Sequence, residues 1–392
     1  MAKIRIFNPE HDLALAFGGT NYTPPPMARL LQRDLQMLPL WIADRDDFIF
    51  SQNPESDSIW LENINSRYGF VNGITTIKDI STFNEIVPWG WNRFLWRRLQ
   101  HAGVNQASLP LESDIENIRN LSHRRISIDI HQFFLQEIPI LQDNTPVELD
   151  SLDKIKEFAR LYPKAYVKAP WSSSGKGIYR ALDIDALDFN RWCSGILKRQ
   201  GSLMCEKPLN AVIDFAMEFS FSGGKTSFVG YSIFNNDTHC SFNGGLLMSE
   251  KLLQKKIADT LGNEDLLLRV KDSALKILDK LIAPFYTGYA GIDMMIYRDE
   301  NGLLQINPCI ELNLRTTMGI VSSVIGNRII EDGVQGMFNV EFHKNIILDD
   351  YKAKMEKEFP LQLSENGKII SGIQFIAPIY SDSQYCAYIK VL

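Results

Sequence analysis

The sequence is poor in several features that would place it quickly. It has five cysteines, at 193, 205, 240, 309 and 386, an odd number with no Cys-x-x-Cys pair. That pattern argues against a disulfide framework or structural zinc and fits a reducing, cytoplasmic setting. No apolar run approaches bilayer length, and the first residues, with Lys3 and Arg5, carry neither the apolar core nor the cleavage pattern of a signal peptide. Positive charge is not in excess: the net charge of −6 gives no general affinity for polyanions, which argues against nucleic acid as the main partner. Internal repeats and low-complexity tracts are absent. Two familiar phosphate loops are missing as well. Lys176 is followed by Gly177 rather than Ser or Thr, the fifth residue before Gly175 is Pro170, and Arg180 stands where a third glycine would be needed.

What remains is ordinary globular composition, 45% apolar and 22% charged over 392 residues, enough for two or three domains with proper cores. One stretch organises the rest: Y-V-K-A-P-W-S-S-S-G-K-G-I-Y-R, residues 166–180. Tyr166, Val167 and Lys168 read as a strand that Pro170 ends, and Ile178 and Tyr179 as its return. Between them Ser172, Ser173, Ser174, Gly175, Lys176 and Gly177 form a loop with little apolar surface, expected to be mobile. Such a loop is either a plain hairpin turn or a cradle of N–H and hydroxyl groups for an anion, with Lys168 as a point charge beside it.

A second stretch follows about a hundred residues on, at 291–315. Asp293 lies in an apolar strand, residues 299–302 (D-E-N-G) form a turn, and Leu303–Ile306 returns as the partner strand. Glu311 and Asn313 are two apart, so in extended chain they point the same way and can converge with Asp293 as oxygen ligands for Mg2+ or Mn2+. Gln305 and Asn307 compete for the same role; Glu311 and Asn313 are preferred because a charged ligand holds the cation better and Arg315 follows.

A lysine on a glycine-rich hairpin, then Asp and Glu-x-Asn on a later hairpin, resembles the ATP-grasp superfamily. L-M-C-E-K-P-L at 203–209 is similar to that family's adenine-binding hinge. The resemblance covers roughly 121–330. It implies a fold of α/β and α+β parts: an N-terminal α/β pre-ATP-grasp domain at 1–120, a small lobe with the glycine-rich loop at 121–210, and a large lobe with the metal site and a closing hairpin at 211–392. It further implies ATP with Mg2+ as cofactors, and a carboxylate activated as an acyl-phosphate for attack by an amine. Phosphoryl transfer to a hydroxyl, or nucleotide sensing without turnover, are the alternatives. The implied partners are small-molecule carboxylate and amine substrates, with no nucleic acid and no membrane; a homodimer is compatible with it. By the same resemblance Glu206, Lys207 and Leu209 meet the adenine, Asp214 the ribose, Lys168 the transferred phosphoryl group, and Arg315 the phosphoryl group or the acceptor carboxylate. The sequence departs from the family at 122–125 (S-H-R-R), where Arg124 stands in the acidic position and Arg125 in the lysine position, so Arg125 is the expected phosphate contact. It departs again at Gly291, where the family often has a basic residue.

The remaining segments read as follows. Ile4–Phe7 is a strand leading to Glu10, His11 and Asp12, either substrate contacts or a surface turn. Leu38–Ile42 is a second strand and 85–88 a third. A helix follows to about His101, with Trp89 and Trp91 as packing. Ser151 caps a helix, and 185–198 and 265–282 are further helices. Glu218 opens an alternating strand, 235–245 is a polar loop with His239 as a weak acid–base candidate, and 372–392 is a terminal hairpin.

Overall fold

The computed structural model describes residues 3–172, 177–236 and 242–391. Its first unit is a four-stranded parallel sheet, in the order Gly73–Thr75, Phe48–Phe50, Ile4–Ile6, Ile86–Pro88. Ile4 and Ile6 are buried at its centre, and the helix Arg93–His101 packs on it through Leu95, Trp96 and Leu99. Asn92 caps that helix by accepting the Leu95 N–H at 2.9 Å. The expected strand at Leu38–Ile42 is instead a 3-10 helix. The five residues L-P-L-W-I are buried on every side, and a short apolar run of that kind has no period that separates strand from helical turn. Pro39 at the start of the run favours the helical choice.

The second unit is the antiparallel sheet Val147–Leu149, Leu203–Glu206, Tyr166–Lys168, Ile178–Arg180. Ser151 caps the helix Leu152–Leu161 as expected, and the helix Leu187–Gln200 joins it over a core of its own: Ile155, Ala159, Val167, Phe189, Cys193, Leu203 and Cys205.

A nine-stranded sheet forms the third unit. Its order is Leu304–Asn313, Gly288–Arg298, Asn210–Ser222, Lys225–Asn236, Phe242–Leu247, Gly336–Phe342, Tyr385–Val391, Ile369–Phe375, Gln362–Leu363. The helix Glu264–Leu281 covers the first part through Leu267, Val270, Ala274 and Ile277. Glu218 lies well inside the strand Asn210–Ser222 rather than at its start, and the terminal hairpin is formed by Ile369–Phe375 and Tyr385–Val391. The ends of the polar segment 235–245 are strand; residues 237–241, His239 among them, lie outside the described residues.

The first and third units share one apolar cluster. Phe7, Leu35, Leu38, Leu40, Trp41 and Ile49 meet Ile320, Val321, Ile325, Phe338, Ile369 and Ile389 in it. Polar ties cross the same boundary: the Trp41 indole N–H donates to the Ile376 carbonyl at 2.7 Å, and Asp34 accepts the backbone N–H groups of Gln384 and Tyr385 at 2.8 and 2.9 Å. Among the described residues no helix is long and apolar enough to cross a membrane.

Candidate active site

Two hairpins and the end of the first parallel strand converge on one cleft, lined by Asp12, Leu15, Ser122, Pro170, Trp171, Ser172, Glu311 and Asn313 among others. The strand Tyr166–Lys168 pairs with Leu203–Glu206, Tyr166 opposite Glu206 and Lys168 opposite Met204. Lys168 is 5% exposed, and its Nζ lies 2.6 Å from Glu206 Oε2. The phosphate lysine and the hinge carboxylate read from the sequence thus form one ion pair. Lys207 takes another direction, donating to the Asp143 carbonyl at 3.3 Å and lying over the Tyr162 ring. Leu209 and Asp214 are half-buried; Asp214 sits opposite Met295 in the sheet.

The loop is fixed where it enters the cleft. The Trp171 indole donates to the Arg119 carbonyl at 2.9 Å, and the Arg119 guanidinium lies 4.0 Å over the ring. The Ala169 N–H donates to Gly177 O at 2.7 Å, closing the hairpin. Ser173, Ser174, Gly175 and Lys176 lie outside the described residues.

At the other hairpin, Asp293 and Glu311 face each other directly across the antiparallel strands Gly288–Arg298 and Leu304–Asn313. Side chains opposite one another in such a pair are close enough to interact strongly. Asn313 Nδ2 donates to Asp293 Oδ2 at 3.0 Å, so Asp293, Glu311 and Asn313 are brought together. The rival pair is occupied elsewhere. Asn307 is buried and accepts the Cys309 N–H, while Gln305 reaches the turn residue Asp299. Burial, with Glu311 and Glu218 nearby, holds the Asp293 carboxyl well above the usual carboxylate range. A carboxylate pair of this kind is short of positive charge, and its oxygen donors suit a hard divalent cation.

Part of that charge comes from Arg124. Its Nη2 lies 2.8 Å from Glu311 Oε1, and its Nη1 donates to Ser172 Oγ at 2.7 Å and to the Ala169 carbonyl. Arg125, the expected phosphate contact, lies elsewhere in this structure. Its side chain is 57% exposed and pairs with Glu148 at 2.8 Å. The Arg124 N–H donates to the Pro170 carbonyl at 3.1 Å, and it is the Arg124 side chain, not its neighbour's, that reaches Ser172 and Glu311. The only sequence signal for this was two adjacent arginines.

Arg315 lies at the floor. Its Nε donates to both carboxylate oxygens of Asp12, at 3.0 and 2.9 Å, and its Nη2 to Asn313 Oδ1 at 3.1 Å. Asp12 therefore belongs to the site, carried there by the helix His11–Phe17. Glu10 and His11 do not join it. Both are buried: the His11 ring packs at Gly90 and approaches Asn92, while among the described residues neither Glu10 oxygen has a hydrogen-bond partner. Below Arg315, the buried Glu218 accepts from Ser232 at 2.8 Å and from Thr317 at 3.0 Å. Burial raises its carboxyl to about 7, against the opposing effect of those two hydroxyls and Arg315. Thr317 also caps the helix Met318–Arg328 by accepting the Ile320 N–H.

No family model and no curated protein matches the sequence. Solved structures do match in shape. N5-carboxyaminoimidazole synthetase from Staphylococcus aureus, complexed with ADP, aligns over 100% of this chain and 93% of its own, at 10% identity and a TM-score of 0.51. Biotin carboxylase from Campylobacter jejuni, in a β-γ-ATP complex, aligns over 100% and 87%, at 12% identity and a TM-score of 0.52. N5-carboxyaminoimidazole synthase from Aspergillus clavatus, with ADP and 5-aminoimidazole ribonucleotide, aligns over 100% and 94%, at 10% identity and a TM-score of 0.50. These likenesses take in the N-terminal parallel sheet as well as both later sheets, and the chain has the ATP-grasp fold.

Proposed function

We propose that the protein is an ATP- and Mg2+-dependent ligase that activates a carboxylate as an acyl-phosphate for attack by an amine. The observation that carries this reading is a grouping of charged side chains beside the cleft: Glu311 lines it, pairs with Arg124 and faces Asp293, and the Lys168–Glu206 ion pair lies near the same buried Cys309 as Asp293 and Glu311. Structural neighbours crystallised with ADP, with β-γ-ATP, or with MgADP and bicarbonate support a nucleotide and a divalent cation in that cleft.

On this reading Lys168 neutralises phosphate charge from the small lobe, once nucleotide displaces Glu206 from it and frees that residue for the adenine side. Lys207, Leu209 and Asp214 line the same hinge and the strand beyond it. Residues 172–177 and Arg124 close over the phosphates, with Arg124 taking the role first given to Arg125. Asp293, Glu311 and Asn313 would hold Mg2+, which when bound offsets the charge that develops as phosphoryl transfer proceeds. Arg315, kept in place by Asp12, faces the acceptor side and orients its carboxylate by a charge-assisted hydrogen bond. We further place the domain limits at 1–120, 121–210 and 211–392, and read a homodimer as compatible with the fold, since one neighbour is a domain dimer.

Calorimetry with ATP, with and without Mg2+, tests the first requirement, and absence of binding in both overturns the reading. Lys168→Ala should weaken ATP binding by about 1.5–3 kcal/mol, the range for a hydrogen bond to a charged group. A metabolite screen scored by ADP release then identifies the carboxylate. Release that requires an added amine marks a ligase; release with a hydroxyl acceptor alone marks a kinase instead.

A further inference from the structure

Far from the cleft, on the other half of the nine-stranded sheet, three potential metal ligands meet. Glu341, His343 and Cys386 each present a ligand atom within 4.8 Å of the others. Glu341 and Cys386 sit opposite each other in the antiparallel pair Gly336–Phe342 and Tyr385–Val391, and His343 follows Glu341 by two residues on the same face. The His343 N–H donates to the Gln384 carbonyl at 2.8 Å, which holds the chain past the strand end in register. The helix Leu348–Glu358 covers the group and brings the Tyr351 ring to 4.8 Å from the imidazole.

We propose that this cluster is a zinc site, with Cys386 Sγ, a ring nitrogen of His343 and a carboxylate oxygen of Glu341 as ligands and a water as the fourth. The donor set is one sulfur, one nitrogen and one oxygen, which suits Zn2+ and not Mg2+ or Ca2+. A thiolate and a carboxylate together balance the two charges of the ion. Cys386 is buried, 2% exposed, and sits directly across the strand pair from Glu341, so its sulfur lies among the other two ligand atoms. Glu341 has the support that ligating carboxylates usually have: Tyr388 and Tyr351 hydroxyls donate to its two oxygens, at 2.6 and 3.0 Å, and fix their direction, while His343 Nε2 lies 2.8 Å from Oε2, a direct contact that a bound ion would replace. Zinc bond lengths place tetrahedral ligand atoms roughly 3–4 Å apart. Side-chain adjustment of about an ångström would therefore close the site. The scattered cysteines had argued against structural zinc; here the ligands come from strands that are neighbours in space and more than forty residues apart in sequence, a spacing no local motif reveals.

The test uses the full chain, stripped with a chelator and titrated with Zn2+ against a chromophoric competitor, then with Co2+ followed by absorption. The expected result is one equivalent of tightly held metal and a thiolate-to-cobalt charge-transfer band. His343→Ala and Cys386→Ser should each weaken binding at least tenfold and remove the band or shift it, while Asp293→Asn, which alters the cleft, leaves both unchanged. Should either site variant fail to fold, the wild-type spectrum still decides: absence of the thiolate band overturns the proposal. So does Zn2+ binding that is lost in Asp293→Asn, which would place the metal in the cleft.

Discussion

At the scale of single residues, the most informative is Arg124. It spans the loop, through Ser172 and the Ala169 carbonyl, and the opposed carboxylates, through Glu311. A guanidinium and a divalent cation cannot both hold Glu311 closely without repulsion, so the two compete. Arg124→Ala should therefore tighten Mn2+ binding to the nucleotide-free protein and weaken ATP binding by several-fold. Mn2+ titration by electron paramagnetic resonance, beside ATP calorimetry, measures the two arms. Weaker Mn2+ binding in the variant would show instead that Arg124 organises the carboxylates for metal. Glu218 gives a pH prediction. Burial raises its folded-state value to about 7, above the ordinary 4.5, so between those values the folded chain binds more protons than the unfolded one. Its stabilising contribution is full below about 4.5 and is lost as pH rises through 7, on the order of 3 kcal/mol. Glu218→Gln keeps partners for Ser232 and Thr317 but has no such loss. In chelator, its melting temperature relative to wild type should rise from pH 5 to pH 8.

At the scale of elements, the helix Met318–Arg328 shows how tightly the floor of the cleft is packed. Gly319 is in its first turn, where alanine would ordinarily improve helix stability by about 1 kcal/mol. A Cβ there would collide with Glu218 Oε1 and lie 2.5 Å from Ser232 Oγ. Gly319→Ala should reverse the usual sign and lower the melting temperature by several degrees, and Gly319→Ala combined with Glu218→Gln should not rescue it, because the obstruction is steric. Recovery in the double variant would assign the cost to charge. The elements also show what the sequence could and could not convey. Both hairpins were readable because their turn chemistry is local: Asp299 accepts the N–H groups of Asn301 and Leu303 at 2.9 Å, and Pro170 ends its strand. Leu38–Ile42 was misread as a strand because an all-apolar run has no period. Phe48–Phe50 was missed because three residues are too few to show alternation. The partners of Arg124 are Ser172 and Glu311, and Asp12 enters the site only because Arg315, 303 residues later, returns to it. Pairings at that separation leave no local trace.

For the whole molecule, the arrangement of cores predicts how it comes apart. The small lobe has a cluster to itself, whereas the N-terminal unit shares one with the third. Residues 1–120 expressed alone would expose the faces of Leu38, Leu40 and Trp41 that now meet Ile320, Phe338 and Ile389, and should be unfolded or aggregated. Residues 144–207 should retain helical and strand signal by circular dichroism. A stable, cooperatively melting 1–120 fragment would contradict this. In the full chain, hydrogen exchange should show Ile4–Ile6 and Tyr385–Val391 opening together.

The bond from Tyr385 N–H to Asp34 also bears on how the protein is made. Its partners are 351 residues apart, and a growing chain adds about 5–20 residues per second, so Asp34 waits roughly 20–70 s for its acceptor role to be filled. Throughout that interval the apolar segment around Trp41 has emerged without its covering strands. The nascent protein thus carries an open hydrophobic face for most of its synthesis, and its yield in cells should depend on holding chaperones far more than its finished stability would indicate.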